Sequence, residues 1–196
     1  GGTGDPSPFT AYGVYLGIKA SAKQQFGSDS LAGKKIAVQG VGHVGFYLVK
    51  HLVKDGADVY VADINQANLE AVTRECKVTV VAPDDIYDLD MDIYSPCALG
   101  ATVNTDTIYR LKCSVIAGAA NNQLADENLH GHMLLDRKVL YAPDFLINAG
   151  GVINCYREVH ALTEEQTKTI IEGIYNRTLD IFKKAEAEKI HTQEAA

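Results

Sequence analysis

The sequence predicts an α/β fold built on a doubly wound, mostly parallel sheet with helices on both faces. Six short apolar segments with the composition of buried strands alternate with amphipathic helical segments along the 196 residues. Turns rich in glycine and other small residues follow several of these strands. Because a chain with 46% hydrophobic residues can fill one sizeable core, we expect a single domain over residues 1–196.

The first half of the chain predicts a helix followed by a βαβαβ unit. Apolar residues recur at helical spacing over 8–26, with Ser7 available as the N-cap and Pro8 at the first helical position. A polar link over 27–33 precedes the first strand. Beyond this link we predict strands over 35–39, 58–62 and 78–81, and helices over 43–54 and 66–75.

The second half of the chain continues this alternation and ends in a long helix. Thr163 and Gln166 form a capping box at the start of an amphipathic segment that extends to about residue 188. We expect 163–196 to be a C-terminal helical segment of the same domain that is cut short. The other predicted elements are strands over 92–96, 115–118 and 139–142, and helices over 105–111, 126–135 and 151–159.

Composition and charge exclude several classes of partner. The formal net charge is −7 and the 18 lysine and arginine residues are scattered, which opposes a nucleic-acid or anionic-membrane partner. No apolar run approaches the roughly 20 residues of a membrane-spanning helix. Cys76, Cys97, Cys113 and Cys155 lie far apart without zinc-ligand spacing. We therefore expect no metal site, reduced thiols and a cytoplasmic location.

A glycine motif lies where the first predicted strand turns into a helix. Gly40, Gly42 and Gly45 match G-x-G-x-x-G, with His43 and Val44 inside the motif. In dinucleotide-binding proteins the first glycine permits a tight turn, the second lets the backbone approach a pyrophosphate, and the third lets the helix pack closely on the sheet. The amides at the helix N-terminus then bind the phosphates. The alternative is a glycine-rich turn that only redirects the chain.

An acidic residue follows at the spacing that this motif requires. Asp63 lies 23 residues after Gly40 and ends the second predicted strand, where a carboxylate accepts hydrogen bonds from the adenosine ribose. A carboxylate there repels a 2′-phosphate, so we predict NAD and not NADP, with Ile64 beside the adenine. The alternative for Asp63 is an N-cap of the helix that starts near Asn65.

Small and polar residues cluster at the ends of three later strands, over 96–100, 117–122 and 148–151. Ligands of doubly wound sheets bind at the carboxyl ends of the strands. Small side chains there would let a nicotinamide ring and its ribose lie against the backbone. An ordinary turn remains the alternative for each cluster.

Taken together, these motifs resemble the cofactor domain of the leucine dehydrogenases, within the glutamate, leucine, phenylalanine and valine dehydrogenase superfamily. The resemblance covers essentially the whole chain. The matching runs are GDPSP at 4–8, TAYGV at 10–14, AVQGVG at 37–42, PCALGA at 96–101, VIAG at 115–118, ANNQL at 120–124, YAPD at 141–144 and INAGGVIN at 147–154.

The resemblance implies NAD-dependent, reversible oxidative deamination of L-leucine or a related branched-chain amino acid to a 2-oxo acid and ammonia. It places Val152 beside the substrate side chain and Asn121 as a polar contact near the cofactor. Further cofactor contacts that it implies are Thr10 and Asn148 at the nicotinamide carboxamide, and Cys97, Ala98, Leu99, Ala117, Gly118 and Ala119 on the ribose side.

The chain departs from this family in what it lacks. The family's catalytic lysines and acidic residue belong to a preceding substrate domain and its linker. We therefore expect no catalytic residue here and an inactive isolated chain. The resemblance also implies a homo-oligomeric parent enzyme. His43 stands where the family often has Asn. The four lysines within the first 35 residues are interpreted as surface charges: Lys19, Lys23, Lys34 and Lys35.

Other interpretations of the whole chain stay open. The parent enzyme could act on phenylalanine, valine or glutamate, because Val152 alone does not select a substrate. A free-standing NAD-binding regulatory module without catalysis is a hypothesis of another class. A purely structural interaction domain is the third, and it leaves Gly40, Gly42, Gly45 and Asp63 without a role.

Overall fold

The computed structural model describes residues 4–196, so the first three residues of the predicted domain lie outside the described residues. A six-stranded sheet has the strand order β3-β2-β1-β4-β5-β6, and every neighbouring pair is parallel. The strands are β1 Lys35–Gln39, β2 Asp58–Ala62, β3 Thr79–Val80, β4 Ile93–Pro96, β5 Val115–Ile116 and β6 Leu140–Tyr141. All six predicted strands are confirmed, although β3, β4, β5 and β6 are shorter than predicted.

Helices connect the strands and surround the sheet. They are α1 Ser7–Phe26, α2 His43–Lys54, α3 Gln66–Glu75, α4 Thr105–Arg110, α5 Glu127–Asp136, α6 Asp144–Ile147, α7 Gly150–His160, α8 Glu164–Glu188 and α9 Thr192–Ala195, with a short 3-10 helix at Asp85–Asp88. The four-residue helices α6 and α9 were not predicted, because segments this short have no helical periodicity to detect.

The ends of two helices test the capping predictions. The box at α8 is confirmed, since the Thr163 hydroxyl accepts from the Gln166 amide at 3.1 Å and the Gln166 side chain accepts from the Thr163 amide at 2.8 Å. The prediction for α1 was wrong. Ser7 is its first helical residue and its amide donates to the Asp5 carboxylate at 2.9 Å, so Asp5 supplies the acceptor.

The core lies in two layers, one on each face of the sheet. Ile36 and Val38 of β1 enter one apolar cluster, whereas Ala37 between them enters the other, as the two-residue period of a strand requires. The first cluster includes side chains of α1, α2, α3 and α8. The second includes side chains of the 3-10 helix, α4 and α5. Helices therefore cover both faces of the sheet.

The strand order fixes where a ligand can reach the sheet. After β3 the chain returns to the opposite side of β1 and forms β4, so successive connections run in opposite directions from the β1–β4 pair. At such a point the loops after the two strands diverge and leave a crevice at the carboxyl edge. Among residues 4–196, no helix is long and apolar enough to cross a bilayer.

The buried side of α2 provides a test of this packing. Leu48→Ala should lower the free energy of unfolding by about 2–5 kcal/mol, because the fully buried side chain leaves a cavity between α2 and the sheet. Leu129→Ala is the matched control, since Leu129 is half exposed on α5, and its effect should stay within about 0.5 kcal/mol. Urea denaturation measures both, and equal effects would contradict the layer assignment.

Candidate dinucleotide site

The glycine turn after β1 is built by close backbone packing. Gly40 has φ +92°, a left-handed conformation that favours glycine, and its amide donates to Ala62 O of β2 at 2.7 Å. A Cβ atom at Gly45 would overlap the carbonyl oxygen of Gly40. Glycine at these two positions therefore brings the first turn of α2 directly against the end of β1.

Gly42 differs from its neighbours because the space beside it is open. It is the N-cap of α2 and provides no side-chain acceptor for the amides of the first turn. A Cβ atom at this position would meet only Asn68 Nδ2, at 3.9 Å. The helix N-terminus thus faces a space that a ligand can enter, and its amides and dipole suit an anionic group there.

The two residues after Gly42 point in different directions. His43 is exposed, and its Nδ1 lies 3.8 Å from Asp5 Oδ2. The Asp5 carboxylate also accepts hydrogen bonds from Ser7, which lower its pKa, so an anion already lies on this side of the turn. Val44 is half buried and packs against the core. His43 is therefore the more accessible side chain of the motif.

Asp63 connects the glycine turn to the end of β2. Its Oδ2 accepts from the amide of Val41 at 2.8 Å and from Asn68 Nδ2 at 3.1 Å, and its Oδ1 accepts from the amide of Asn65 at 2.7 Å. The N-cap of α3 is Asn65, not Asp63. A carboxylate has about four acceptor positions, so Asp63 can accept a further hydrogen bond. Beside it, Ile64 is 91% exposed.

The loop after β4 lies against the glycine turn. The amide of Cys97 donates to Gln39 O of β1 at 2.7 Å, and a Cβ atom at Gly40 would overlap Ala98. Burial raises the pKa of the Cys97 thiol, so this thiol is neutral near pH 7. Ala98 is exposed, and Leu99 is 71% exposed at the tip of the loop.

The loops after β5 and β6 meet through two asparagines. Asn148 Nδ2 donates to Asn121 Oδ1 at 2.7 Å and to Ala119 O at 3.2 Å. Ala117 is fully buried, so only its backbone could face a ligand. Gly118 packs so closely on Pro96 that a Cβ atom would overlap the Pro96 carbonyl oxygen. The three predicted clusters therefore form one continuous edge.

Thr10 and Val152 lie where α1 approaches α7. A Cβ atom at Gly151 would lie 2.8 Å from Thr10 Oγ1, so the first turns of the two helices are in close contact. The Thr10 hydroxyl itself donates to Pro6 O at 3.3 Å. Val152 is 74% exposed on the first turn of α7. It makes none of the polar contacts that join the three loops.

Two residues that shape this edge, Gln123 and Asp144, were not singled out as site residues from the sequence. Both are buried polar residues whose hydrogen bonds hold the loops after β5 and β6. They lie 21 positions apart in the chain, and their pairing depends on β5 and β6 being neighbours. The sequence placed both only within runs that resemble the family, Gln123 in 120–124 and Asp144 in 141–144.

A separate cavity of about 470 Å³ lies elsewhere, between α5, α8 and the β6 edge of the sheet. Its lining includes Leu134, Tyr141 and Phe182, and it contains none of the predicted site residues. Within residues 4–196, no group of three or more histidine, cysteine, aspartate or glutamate side chains could hold a metal ion. The polar and backbone groups suited to a dinucleotide are those at the carboxyl edge.

The close approach at Gly45 yields a stability test. Gly45→Ala should lower the free energy of unfolding by about 1–3 kcal/mol, because the added methyl group overlaps the Gly40 carbonyl. Gly173→Ala is the matched control, since it lies within α8 with no atom near its Cβ position, and it should stabilise the chain by about 0.5–1 kcal/mol. Thermal unfolding compares the two, and a neutral Gly45→Ala would contradict the packing.

Comparisons with known proteins agree on one family. A model of the Glutamate/Leucine/Phenylalanine/Valine dehydrogenase family matches residues 1–67 and 58–196. Leucine dehydrogenase from Thermoactinomyces intermedius is 52% identical over 196 residues, covering 100% of this chain and 53% of that protein. Leucine dehydrogenase from Bacillus subtilis (strain 168) is 53% identical over 184 residues, covering 92% of this chain and 50% of that protein.

A comparison with solved structures also finds an amino-acid dehydrogenase. The crystal structure of L-tryptophan dehydrogenase from Nostoc punctiforme is similar to this chain with a TM-score of 0.95 and 45% identity, covering 98% of this chain and 59% of that one. This chain spans about half the length of the curated relatives it matches. It belongs to the glutamate, leucine, phenylalanine and valine dehydrogenase family.

Proposed function

We propose that this chain is the C-terminal NAD-binding domain of an amino-acid dehydrogenase, with a doubly wound Rossmann-type sheet. The principal support is the junction of Gly40, Gly42 and Gly45 with Asp63, at the point where the strand order reverses. The order β3-β2-β1-β4-β5-β6 is the one typical of dinucleotide-binding folds. A glycine turn alone would be weaker support, because turns also occur without a ligand.

The residues present fit NAD. Open space at Gly42 admits a pyrophosphate to the N-terminus of α2, with His43, Val44 and Gly45 in that first turn. Asp63 has acceptor capacity for a ribose hydroxyl, and its charge disfavours a 2′-phosphate. The exposed Ile64 side chain offers an apolar surface for adenine. NAD, rather than NADP, is therefore the cofactor of this proposal.

The other end of the site would hold the nicotinamide riboside. Asn148 and Thr10 are assigned to the carboxamide, and Asn121 supplies a further polar contact. The ribose side is assigned to residues that are mostly small: Cys97, Ala98, Leu99, Ala117, Gly118 and Ala119. When bound, NAD supplies the hydride acceptor. The neutral Cys97 thiol keeps this wall free of negative charge, so the chain's part is to bind and orient the cofactor.

Leucine or a related branched-chain amino acid is the proposed substrate of the parent enzyme. The support is the 52% identity to a leucine dehydrogenase and the apolar Val152 side chain, exposed on the first turn of α7. A tryptophan dehydrogenase and a phenylalanine dehydrogenase also match. The residues of the substrate pocket other than Val152 must therefore select the amino acid. We propose that this remainder, with the catalytic lysines, lies in the substrate half and that the isolated chain does not turn over.

Two further properties of the parent enzyme belong to the same proposal. The four cysteines Cys76, Cys97, Cys113 and Cys155 are all free thiols, which supports a reducing compartment such as the cytoplasm. The parent is proposed to be a homo-oligomer that acts on small molecules, with no nucleic-acid or membrane partner.

The open space at Gly42 gives the direct test of cofactor binding. Calorimetric titration of the wild-type chain should give NADH binding, and Gly42→Val should weaken it by about 100-fold or more, because the branched side chain fills the pyrophosphate approach. Circular dichroism should be unchanged, since no core atom lies near that Cβ position. Gly173→Val on α8 is the matched control, and NADH binding that survives Gly42→Val would move the site elsewhere.

The ribose assignment predicts a change of cofactor preference. Asp63→Ser with Ile64→Arg should weaken NADH binding and admit NADPH, shifting the ratio of the two affinities by about 100-fold, because repulsion of the 2′-phosphate is removed and a cation is supplied. Ile64→Arg alone is the control and should retain the preference for NADH. An unchanged ratio in the double variant would refute the assignment of Asp63 to the ribose.

A further inference from the structure

A buried polar pair joins the loops after β5 and β6. Gln123 is 0% and Asp144 6% exposed. Asp144 Oδ2 accepts from the Gln123 amide at 3.1 Å, and its Oδ1 accepts from the Phe145 amide at 2.6 Å. One carboxylate thus bonds to the backbone of both loops. Burying a carboxylate is costly unless hydrogen bonds replace its water, and these two bonds do so.

The Gln123 side chain holds the shape of its own loop. Its Nε2 donates to Gly118 O and to Ala120 O, both at 2.9 Å. Its backbone carbonyl accepts from the Val103 amide at 3.0 Å. The short strand β5 ends at Ile116, so these side-chain bonds replace the ladder that a longer strand would provide.

Both members of the pair lie next to the asparagines that meet at the site. Asn121 precedes Gln123 by two residues, and the Asn148 amide donates to Asp144 O at 2.9 Å through the single turn of α6. The 2.7 Å bond between Asn148 Nδ2 and Asn121 Oδ1 therefore spans two loops that Asp144 bonds together. A shift at either anchor would change the distance between the two asparagines.

We propose that Gln123 and Asp144 are positioning residues for the nicotinamide half of the cofactor site. They hold Asn121 and Asn148 in register and do not themselves touch the cofactor. Apolar side chains of similar volume could fill the same space, but hydrogen bonds of fixed direction select one arrangement of the loops. The inference rests on the proposed NAD site. It adds that the adenosine and nicotinamide halves are held by separate groups, since Asp63 and the glycine turn share no hydrogen bond with this pair.

Two ligands, NADH and ADP, distinguish effects on the nicotinamide half of the proposed site from effects on the adenosine half. NADH occupies the whole proposed site, whereas ADP carries the adenosine and diphosphate but lacks the nicotinamide riboside. Asp144→Asn keeps the side-chain shape but turns an NH₂ group towards one backbone N–H. Gln123→Met keeps the length and removes both donors. The control is Asp92→Asn, because Asp92 also accepts from a backbone amide, that of Lys35 at 2.8 Å, but does so before β4 at the opposite edge of the sheet.

Calorimetric titration of the 196-residue chain and its variants should show NADH binding weakened by about tenfold in Asp144→Asn and Gln123→Met, with ADP binding unchanged. Asp92→Asn should bind both probes as the wild type does. Equal loss of NADH and ADP, or no loss of either, would overturn the positioning role.

Circular dichroism checks that each variant is folded. If one variant does not fold, the other decides by the same ratio, and if neither folds the pair is a stability determinant and the inference is wrong. A wild-type chain that binds neither NADH nor ADP would instead overturn the proposed function. A wild-type chain that binds both, with equal changes in the variants, would overturn this inference alone.

Discussion

The close packing of the first turn of α2 on the end of β1 is the constraint on which the site depends. A methyl group at Gly45 would overlap the Gly40 carbonyl oxygen, so the contact exists only because Gly45 has no side chain. This contact directs the N-terminus of α2 to the point where the strand order reverses. Asp63 then bonds the turn to the end of β2 through the Val41 amide. Moving any of these groups would move the amides that would face a ligand at the proposed site.

The two halves of the proposed site are formed by different kinds of interaction. The adenosine half uses backbone amides, one carboxylate and the exposed Ile64 side chain, held by strands of five residues. In the nicotinamide half the strands β5 and β6 have only two residues each. Side-chain hydrogen bonds from Gln123, Asp144 and Asn148 hold the loops there. Loss of one such hydrogen bond should therefore displace the loop that it holds and leave the adenosine half in place.

Periodicity and glycine spacing were sufficient to predict most of the fold. Strand β1 and helices α2 and α3 have the predicted bounds, because apolar spacing marks all three and glycines flank β1 and α2. At α1 the predicted cap was wrong, because Ser7 is itself helical and its amide donates to the Asp5 carboxylate. The sheet is parallel throughout, whereas the sequence predicted a mostly parallel one. Direction and order depend on strand pairing, which local patterns do not encode.

The arrangement of the candidate site was predictable where it follows a local motif and not where it depends on distant contacts. Gly40, Gly42, Gly45 and Asp63 have a fixed spacing, and the structure brings them together through the Val41 amide. Gln123 and Asp144 have no such spacing, because their bond requires β5 and β6 to be adjacent. Likewise, the contact of Thr10 with α7 depends on how α1 crosses the sheet, which periodicity alone does not determine.

NAD bound at the carboxyl edge between β1 and β4, as proposed, would change the amide chemical shifts of the residues around it. A nitrogen-15 labelled sample of this 21.2 kDa chain would be titrated with NADH and followed by two-dimensional NMR. Binding at this edge should shift the resonances over 40–45, at Asp63 and Ile64, and over 117–122. Shifts confined to the cavity around Leu134, Tyr141 and Phe182, or no shifts at all, would contradict it.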